Sequence, residues 1–249
     1  MLAFFSLTFL LSWSAWAVAI LLPEQGTLLR ILGIFGPAIA AVILLYRSAQ
    51  GVLPTLKRLL IWRFPMWIYV LAFGLTFAGC LIALLLARLT TGLGEILPEA
   101  TPIYVPFLVF IYVMAFSVAG EELGWRGYAL PRLLENYNPI RASLIVGVVW
   151  AVWHTPLFLM PSNFHSDIPF GPFAVQVIAS SLIYTYLHLV TNGSLLIVHI
   201  FHASFNTSVG LLPILPTVRD GDTTAFYIAV GLLVIVAAAI AIHFVREPS

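Results

Sequence analysis

The sequence predicts an all-α, polytopic membrane protein, a bundle of about eight transmembrane helices. Hydrophobic residues make up 61% of the 249 residues and charged residues only 8%, whereas a soluble domain carries about 25% charged residues. The apolar residues also occur in runs of roughly 20, the length that crosses a bilayer as a helix. Lipid must therefore be the main solvent of this chain. The net charge of +1 gives no indication of a nucleic-acid partner.

Eight apolar stretches are candidate membrane spans. The connection between the sixth and the seventh is so short that these two helices must be antiparallel neighbours. We find no internal repeat and no low-complexity linker, so residues 1–249 are predicted to form a single integral membrane domain with a motif-bearing core at residues 103–212. The predicted spans are residues 2–22, 28–46, 66–88, 103–125, 142–161, 172–190, 194–212 and 223–245.

Most positive charges fall in loops on one side of the predicted bundle. Cytoplasmic loops are enriched in Lys and Arg, so we expect a multi-pass protein of the cell membrane with both termini in the cytoplasm. Residues 52–63 look like a basic amphipathic segment on the cytoplasmic surface. The cytoplasmic side carries Arg47, Lys57, Arg58, Arg63, Arg126, Arg132, Arg141 and Arg246. The other side carries Arg30, Arg88 and Arg219 with the acids Glu24, Glu95, Glu99, Asp167, Asp220 and Asp222.

Two acids, Glu121 and Glu122, lie inside an apolar span. Charged groups in a bilayer are costly and usually functional. Glu122 and Arg126 are four residues apart, so they share a helix face and can form an ion pair, while Glu121 points about 100° away. One carboxylate could thus be held by Arg126 while the other acts. These residues alone leave open that both acids only neutralise Arg126 or anchor a neighbouring helix.

Further polar residues occur in the fifth and seventh spans. His154 follows Trp150 by four residues, and His199, His202 and Asn206 form one polar stripe along the seventh span. A seam of interhelical hydrogen bonds would give the same stripe, and this interpretation is favoured for His199, whose role stays open. At 1.5 Å per residue the polar groups lie within roughly 18 Å of the cytoplasmic edge. We therefore expect one polar, water-filled cavity open to the cytoplasm.

These side chains suit hydrolysis. A carboxylate beside a neutral imidazole can deprotonate water, and a second histidine with an amide can donate hydrogen bonds to an oxyanion. Alternatively, Glu121, His154 and His202 could hold one divalent metal ion such as zinc, with water in the open position. The sequence has no HExxH motif, the familiar zinc arrangement on one helix.

Three motifs resemble those of a known family. Glu121-Glu122-Leu123-Gly124-Trp125-Arg126-Gly127 resembles the EExxxR motif of the CPBP family, which includes CAAX prenyl endopeptidases and bacteriocin-processing enzymes and is also called Abi. Trp150 to His154 resembles the FxxxH motif, with Trp in place of Phe, and His202 to Asn206 resembles HxxxN. Order and spacing match across residues 117–207.

The resemblance implies an eight-helix intramembrane peptidase whose conical cavity opens to the cytoplasm. Glu121 would be the general base that activates water, and His154 would bind the same water. His202 and Asn206 would line the oxyanion side, while Glu122 and Arg126 would form a supporting ion pair. The family has been described both as metalloproteases and as glutamate-dependent, metal-independent peptidases.

The predicted function is therefore endopeptidase cleavage of a membrane-associated protein or peptide, at a CAAX-type tail, a leader or a tethered segment, with membrane lipid as the other partner. A proton-coupled transporter is an alternative, because intramembrane Glu, Arg and His also form proton relays, although the sequence shows no inverted repeat. A non-catalytic membrane adaptor or immunity protein is another. His165 and Asp167, in the loop after the fifth span, are expected to be solvated.

Overall fold

The computed structural model describes residues 1–22, 26–92, 102, 104–160 and 164–246, so Glu24, Glu95 and Glu99 lie outside the described residues. Among the described residues, seven helices are long and apolar enough to cross a membrane, and one bent pair would count as an eighth. This confirms the predicted all-α polytopic class. The helices are α1 (Leu2–Leu21), α2 (Gly26–Ile34), α3 (Gly36–Tyr46), α4 (Leu53–Lys57), α5 (Met66–Thr91), α6 (Tyr104–Val113), α7 (Ala119–Glu122), α8 (Leu130–Leu134), α9 (Pro139–Trp153), α10 (Phe170–Val190), α11 (Leu195–Leu211) and α12 (Thr224–Arg246).

The second predicted span, residues 28–46, is not one straight helix. Helices α2 and α3 meet at an angle of 46°, and Pro37 in the first turn of α3 has no N–H to continue the hydrogen-bond ladder. Helix α1 packs closely on this bend, because a Cβ atom at Gly33 or Gly36 would overlap side chains of α1. Ser12 Oγ also donates a hydrogen bond of 2.7 Å to the carbonyl oxygen of Gly33. The bend is thus held by specific contacts.

The fourth predicted span continues to Leu134 instead of ending at residue 125. Helices α6, α7 and α8 run as one 31-residue span, interrupted by two wide π-helical turns at Met114–Val118 and Leu123–Ala129. The short helix α7 between the two turns carries both acids. Turns of this type occur often at functional sites.

One end of the bundle, which we call the terminal end, holds the start of α1 and the end of α12. Arg58 belongs to a short 3₁₀ turn after α4 and donates hydrogen bonds to the carbonyl oxygens of Gly193 at 2.7 Å, Gly127 at 3.1 Å and Arg126 at 3.2 Å. Burial lowers the pKa of Arg58 to about 10, so it stays charged at pH 7. Arg58 therefore points into the protein instead of lying on a basic surface.

The opposite end, which we call the distal end, holds the ends of α1, α5, α9 and α11 and the starts of α2, α6, α10 and α12. The first four of these helices leave the terminal end, and the chain returns to it along the other four. The α9–α10 connection includes 3₁₀ turns at Thr155–Leu159 and Phe164–Asp167, and the α11–α12 connection includes one at Pro216–Val218.

Candidate active site

A buried ion pair lies at the centre of the site. Glu122 Oε1 accepts hydrogen bonds from Arg126 Nη1 at 2.7 Å and from His202 Nδ1 at 2.8 Å, and Glu122 and Arg126 are both 0% exposed. The Arg126 guanidinium carbon lies 4.3 Å from the centre of the Trp150 ring and 3.8 Å from that of Tyr184. The ion pair predicted from the spacing is present, and two aromatic rings add cation–π contacts to it.

The second acid, Glu121, has a different environment. Its Oε2 accepts a hydrogen bond of 2.8 Å from Trp150 Nε1, and its side chain lines a cavity of about 750 Å³. The spacing of the two acids therefore separates them as expected, one inside the ion pair and one on the cavity wall. The indole donor was not foreseen, because the sequence presented Trp150 only as a replacement for Phe in a motif.

His154 lies at the end of α9, where the chain passes into the 3₁₀ turn Thr155–Leu159. Its Nδ1 lies 2.7 Å from the carbonyl oxygen of Trp150. Because a carbonyl can only accept, Nδ1 carries the hydrogen and Nε2 is the acceptor nitrogen of the neutral ring. Trp150 thus contacts two predicted site residues, Glu121 through its indole N–H and His154 through its backbone.

The cavity brings together most of the predicted site residues. Glu121, His154, His202 and Asn206 all line it, and so does Tyr184. Most of the remaining lining is apolar, contributed by α5, α6, α10, α11 and α12. Glu122 and Arg126 do not line the cavity. His199 also lies outside the lining, with its Nδ1 2.6 Å from the carbonyl oxygen of Leu195 in its own helix.

His165 contradicts the expectation of a solvated loop residue. It is 7% exposed, it lines the cavity, and its ring centre lies 5.8 Å from that of His154 and 5.3 Å from that of Phe173. Burial lowers the pKa of His165 well below its usual range, so the ring is neutral at pH 7. No local signal predicts this position, because it depends on how the α9–α10 connection folds back. Asp167 is exposed, as expected.

The donor set was also compared with the needs of a metal ion. Among the residues that the structure describes, no three His, Cys, Asp or Glu side chains are grouped so that they could hold a metal. One oxygen of Glu121 accepts from Trp150, and one nitrogen of His202 pairs with Glu122. The zinc set of Glu121, His154 and His202 considered from the sequence therefore does not fit this geometry.

The cavity lies toward the distal end of the bundle. In α10, α11 and α12 the lining residues run from Phe173 to Tyr184, from His202 to Gly210 and from Phe226 to Val236, so they extend from the middle of each helix toward its distal connection. Thr217 and Val218 in the α11–α12 connection line it and are exposed. The cytoplasmic sides expected for the termini and for the cavity opening stay predictions.

The motif-bearing region matches known proteins. The family model described as type II CAAX prenyl endopeptidase Rce1-like matches residues 103–208, a range that includes every predicted site residue. A curated relative, CAAX prenyl protease 2 of Methanococcus maripaludis, is 30% identical over 143 residues, which are 55% of this chain and 50% of the relative. The chain thus spans about half the length of the curated relative that it matches.

Proposed function

We propose that this chain belongs to the CPBP family of intramembrane peptidases and is an intramembrane endopeptidase that hydrolyses a peptide bond in a membrane-associated protein or peptide. The name of the curated relative, a CAAX prenyl protease, supports peptidase activity. The membrane-spanning helices support a substrate that is itself held at the membrane. A CAAX-type tail, a leader or a tethered segment would meet this requirement.

The proposal rests mainly on one observation: the two adjacent glutamates have different surroundings. Glu122 is bound by Arg126 and His202, while Glu121 and His154 line the same cavity. A carboxylate whose only role was to neutralise the charge of Arg126 would not need to line a cavity. The arrangement is the one that a general base requires, with a water-accessible space next to it.

The reaction follows from these positions. Glu121 takes a proton from a water molecule oriented by Nε2 of His154, and the water oxygen attacks the peptide carbonyl carbon. Asn206 and His202 stabilise the resulting oxyanion, His202 through its Nε2–H with both ring nitrogens carrying hydrogen, because its Nδ1–H is donated to Glu122. When the C–N bond breaks, Glu121 returns the proton to the leaving nitrogen. Glu122 and Arg126 hold His202 in place during these steps, and each step uses residues of this chain alone.

Substitution of the proposed base tests the function directly. Purified protein is incubated with a library of membrane-tethered peptides, and cleavage by Glu121→Gln and His154→Ala is measured by mass spectrometry. We expect Glu121→Gln to slow cleavage by roughly 100- to 10,000-fold, the range typical of losing a general base. Glu135→Gln and His243→Ala, which change exposed residues, are the matched controls and should cleave normally.

Cleavage that survives Glu121→Gln would contradict the mechanism. Ion flux through liposomes in the absence of any peptide would favour the transport alternative, and folded protein that cleaves nothing would favour the adaptor alternative. Treatment with a chelator, followed by metal analysis and the same cleavage measurement, tests the zinc version separately.

A further inference from the structure

One face of α10 adds a second line of polar side chains to the wall of the cavity. Gln176, Ser180 and Tyr184 follow one another at intervals of four residues, and all three line the cavity. Side chains four residues apart share a helix face, so the three form one stripe, which we call the α10 stripe. None of the three belongs to a sequence motif or takes part in the proposed reaction.

We propose that the α10 stripe binds the backbone of the substrate peptide, in extended conformation, beside the scissile bond. The inference rests on the proposed function for the position of the scissile bond, but it concerns the binding of the peptide and not its hydrolysis. Three features of the stripe support it, namely its polar groups, its spacing and its position next to the catalytic residues.

The polar groups of the stripe suit a peptide backbone. One amide and two hydroxyls carry no charge, and each can both donate and accept hydrogen bonds, as peptide N–H and C=O groups require. Most of the cavity lining is apolar, and backbone groups that enter such a space unpaired cost free energy. Ser180 is 2% exposed, and its Oγ has no hydrogen-bond partner among the residues that the structure describes. Its hydroxyl is therefore available to a ligand.

The spacing of the stripe matches that of an extended peptide. Four residues of an α-helix advance about 6 Å along its axis, and two residues of an extended chain advance about 6.6 Å. Backbone groups on one edge of an extended chain also repeat at every second residue. A peptide lying along α10 would therefore meet a polar side chain at each repeat. From Gln176 to Tyr184 the stripe is about 12 Å long, which corresponds to about four peptide residues.

One end of the stripe lies at the catalytic residues. The Tyr184 ring centre is 3.8 Å from the guanidinium carbon of Arg126 and 5.7 Å from the centre of the His202 ring. Helix α11 runs antiparallel to α10 and contributes Asn206 to the same cavity. A peptide bound along the stripe would thus place one carbonyl beside His202 and Asn206 and extend from there toward Gln176.

Binding to an inactive protein tests the stripe without catalysis. The full chain with Glu121→Gln is placed in nanodiscs with the library of membrane-tethered peptides, and retained peptides are identified by mass spectrometry. The peptide retained most strongly is titrated against Glu121→Gln protein that also carries Ser180→Ala or Tyr184→Phe. Ser181→Ala is the matched control, because its Oγ is also buried and unpaired within the described residues but Ser181 does not line the cavity. Tyr186→Phe, outside the lining, is the control for Tyr184→Phe.

We expect Ser180→Ala and Tyr184→Phe each to raise the Kd roughly 2- to 10-fold, the effect of losing one neutral hydrogen bond. A second retained peptide of unrelated sequence should lose the same factor, because the two peptides share only their backbone. The first peptide with N-methylated backbone amides, which lack N–H donors, should bind the Glu121→Gln protein more weakly. The two control variants should leave the Kd unchanged.

Retention of no peptide by the Glu121→Gln protein would overturn the proposal, and so would equal Kd values for Ser180→Ala and Ser181→Ala. An unchanged Kd for the N-methylated peptide would overturn recognition of the backbone. If peptides bind through the stripe but the unmodified protein cleaves none of them, the proposed function fails and the binding proposal holds. If the protein cleaves peptides but Ser180→Ala and Ser181→Ala bind them equally, only the binding proposal fails.

Discussion

Trp150 connects the proposed base to the rest of the site. Its indole N–H donates to Glu121, its carbonyl oxygen holds His154, and its ring lies against the Arg126 guanidinium. A carboxylate inside an apolar wall has few donors to fix its orientation, so a single indole donor matters more there than in water. The side chain therefore positions Glu121 and does not itself touch the reacting atoms.

Trp150→Phe removes the donor and keeps an aromatic ring beside Arg126. A hydrogen bond to a charged group contributes about 1.5–3 kcal/mol, so we expect kcat to fall by roughly 10- to 150-fold with little change in KM. Steady-state cleavage kinetics measure both constants. The matched control is Trp153→Phe, because Trp153 Nε1 has no hydrogen-bond partner within the described part of the chain. Equal kcat values for Trp150→Phe and Trp153→Phe would contradict a positioning role for Trp150.

Arg126 is the counter-charge of Glu122 in the buried interior of the bundle. Arg126→Met keeps the length of the side chain but leaves Glu122 buried without its cation, which costs about 3–5 kcal/mol. We expect the free energy of unfolding in detergent to fall by that amount when unfolding is measured by tryptophan fluorescence. The double variant Glu122→Gln with Arg126→Met should recover about half of it, because the unpaired charge is gone. If it recovers none, charge pairing is not the cause.

Contacts within one helix were predictable from the sequence, whereas contacts between elements were not. The Glu122–Arg126 pair follows from four-residue spacing, which places two side chains on one face. The Glu121–Trp150 bond and the burial of His165 join parts of the chain that are far apart in sequence or separated by a turn. Their geometry depends on how helices pack, and no local pattern records it.

At the scale of elements, the helix that carries the acids packs against the bend between α2 and α3. A Cβ atom at Gly120 would lie 2.8 Å from the carbonyl oxygen of Ile34, and one at Gly124 would lie 2.6 Å from the backbone of Pro37. These glycines let two backbones touch, as small residues do between membrane helices. The bend and the acids are therefore parts of one packed unit.

Gly124→Ala tests this close approach. The added methyl group overlaps backbone atoms that have no rotamer to change, so we expect a loss of about 1–3 kcal/mol in the free energy of unfolding. Gly74→Ala is the control, because its Cβ atom meets nothing within 4 Å and alanine favours a helix interior by about 1 kcal/mol over glycine. Thermal unfolding in detergent should show the two variants moving in opposite directions.

Hydropathy predicted where the membrane helices lie, but not where they bend or contain π-helical turns. The lengths of the apolar runs predicted the spans to within a few residues, since bilayer thickness sets those lengths, except that the fourth span continues to Leu134. Gly36 and Pro37, which follow Phe35, are a local signal for the bend. The two π-helical turns had none, because a wide turn differs from an α-helical turn only in its hydrogen bonding.

At the scale of the whole molecule, Arg58 ties the segment after α4 to the span that carries the acids and to the α10–α11 connection. Three of its hydrogen bonds reach the carbonyl oxygens of Gly193, Gly127 and Arg126. Arg58→Gln should lower the free energy of unfolding by about 2–4 kcal/mol. Arg58→Lys should not restore it fully, because an ammonium group lacks the planar fork of donors. Lys57→Gln, which changes the exposed neighbour, should be nearly neutral.

The wide turns at Met114–Val118 and Leu123–Ala129 affect where this span can tolerate a deletion. The same 31-residue span lines the cavity near Val113 and binds Arg58 through Gly127, so both ends of it are fixed in rotation. Elsewhere in this span, deleting one residue would turn one end by about 100° relative to the other. Within a wide turn, a one-residue deletion can be absorbed by closing the turn to an ordinary α-helical one. We therefore expect a one-residue deletion to be tolerated in this span at Met114–Val118 but not at Leu123–Ala129, where it would disturb the Glu122–Arg126 pair and the close packing of Gly124.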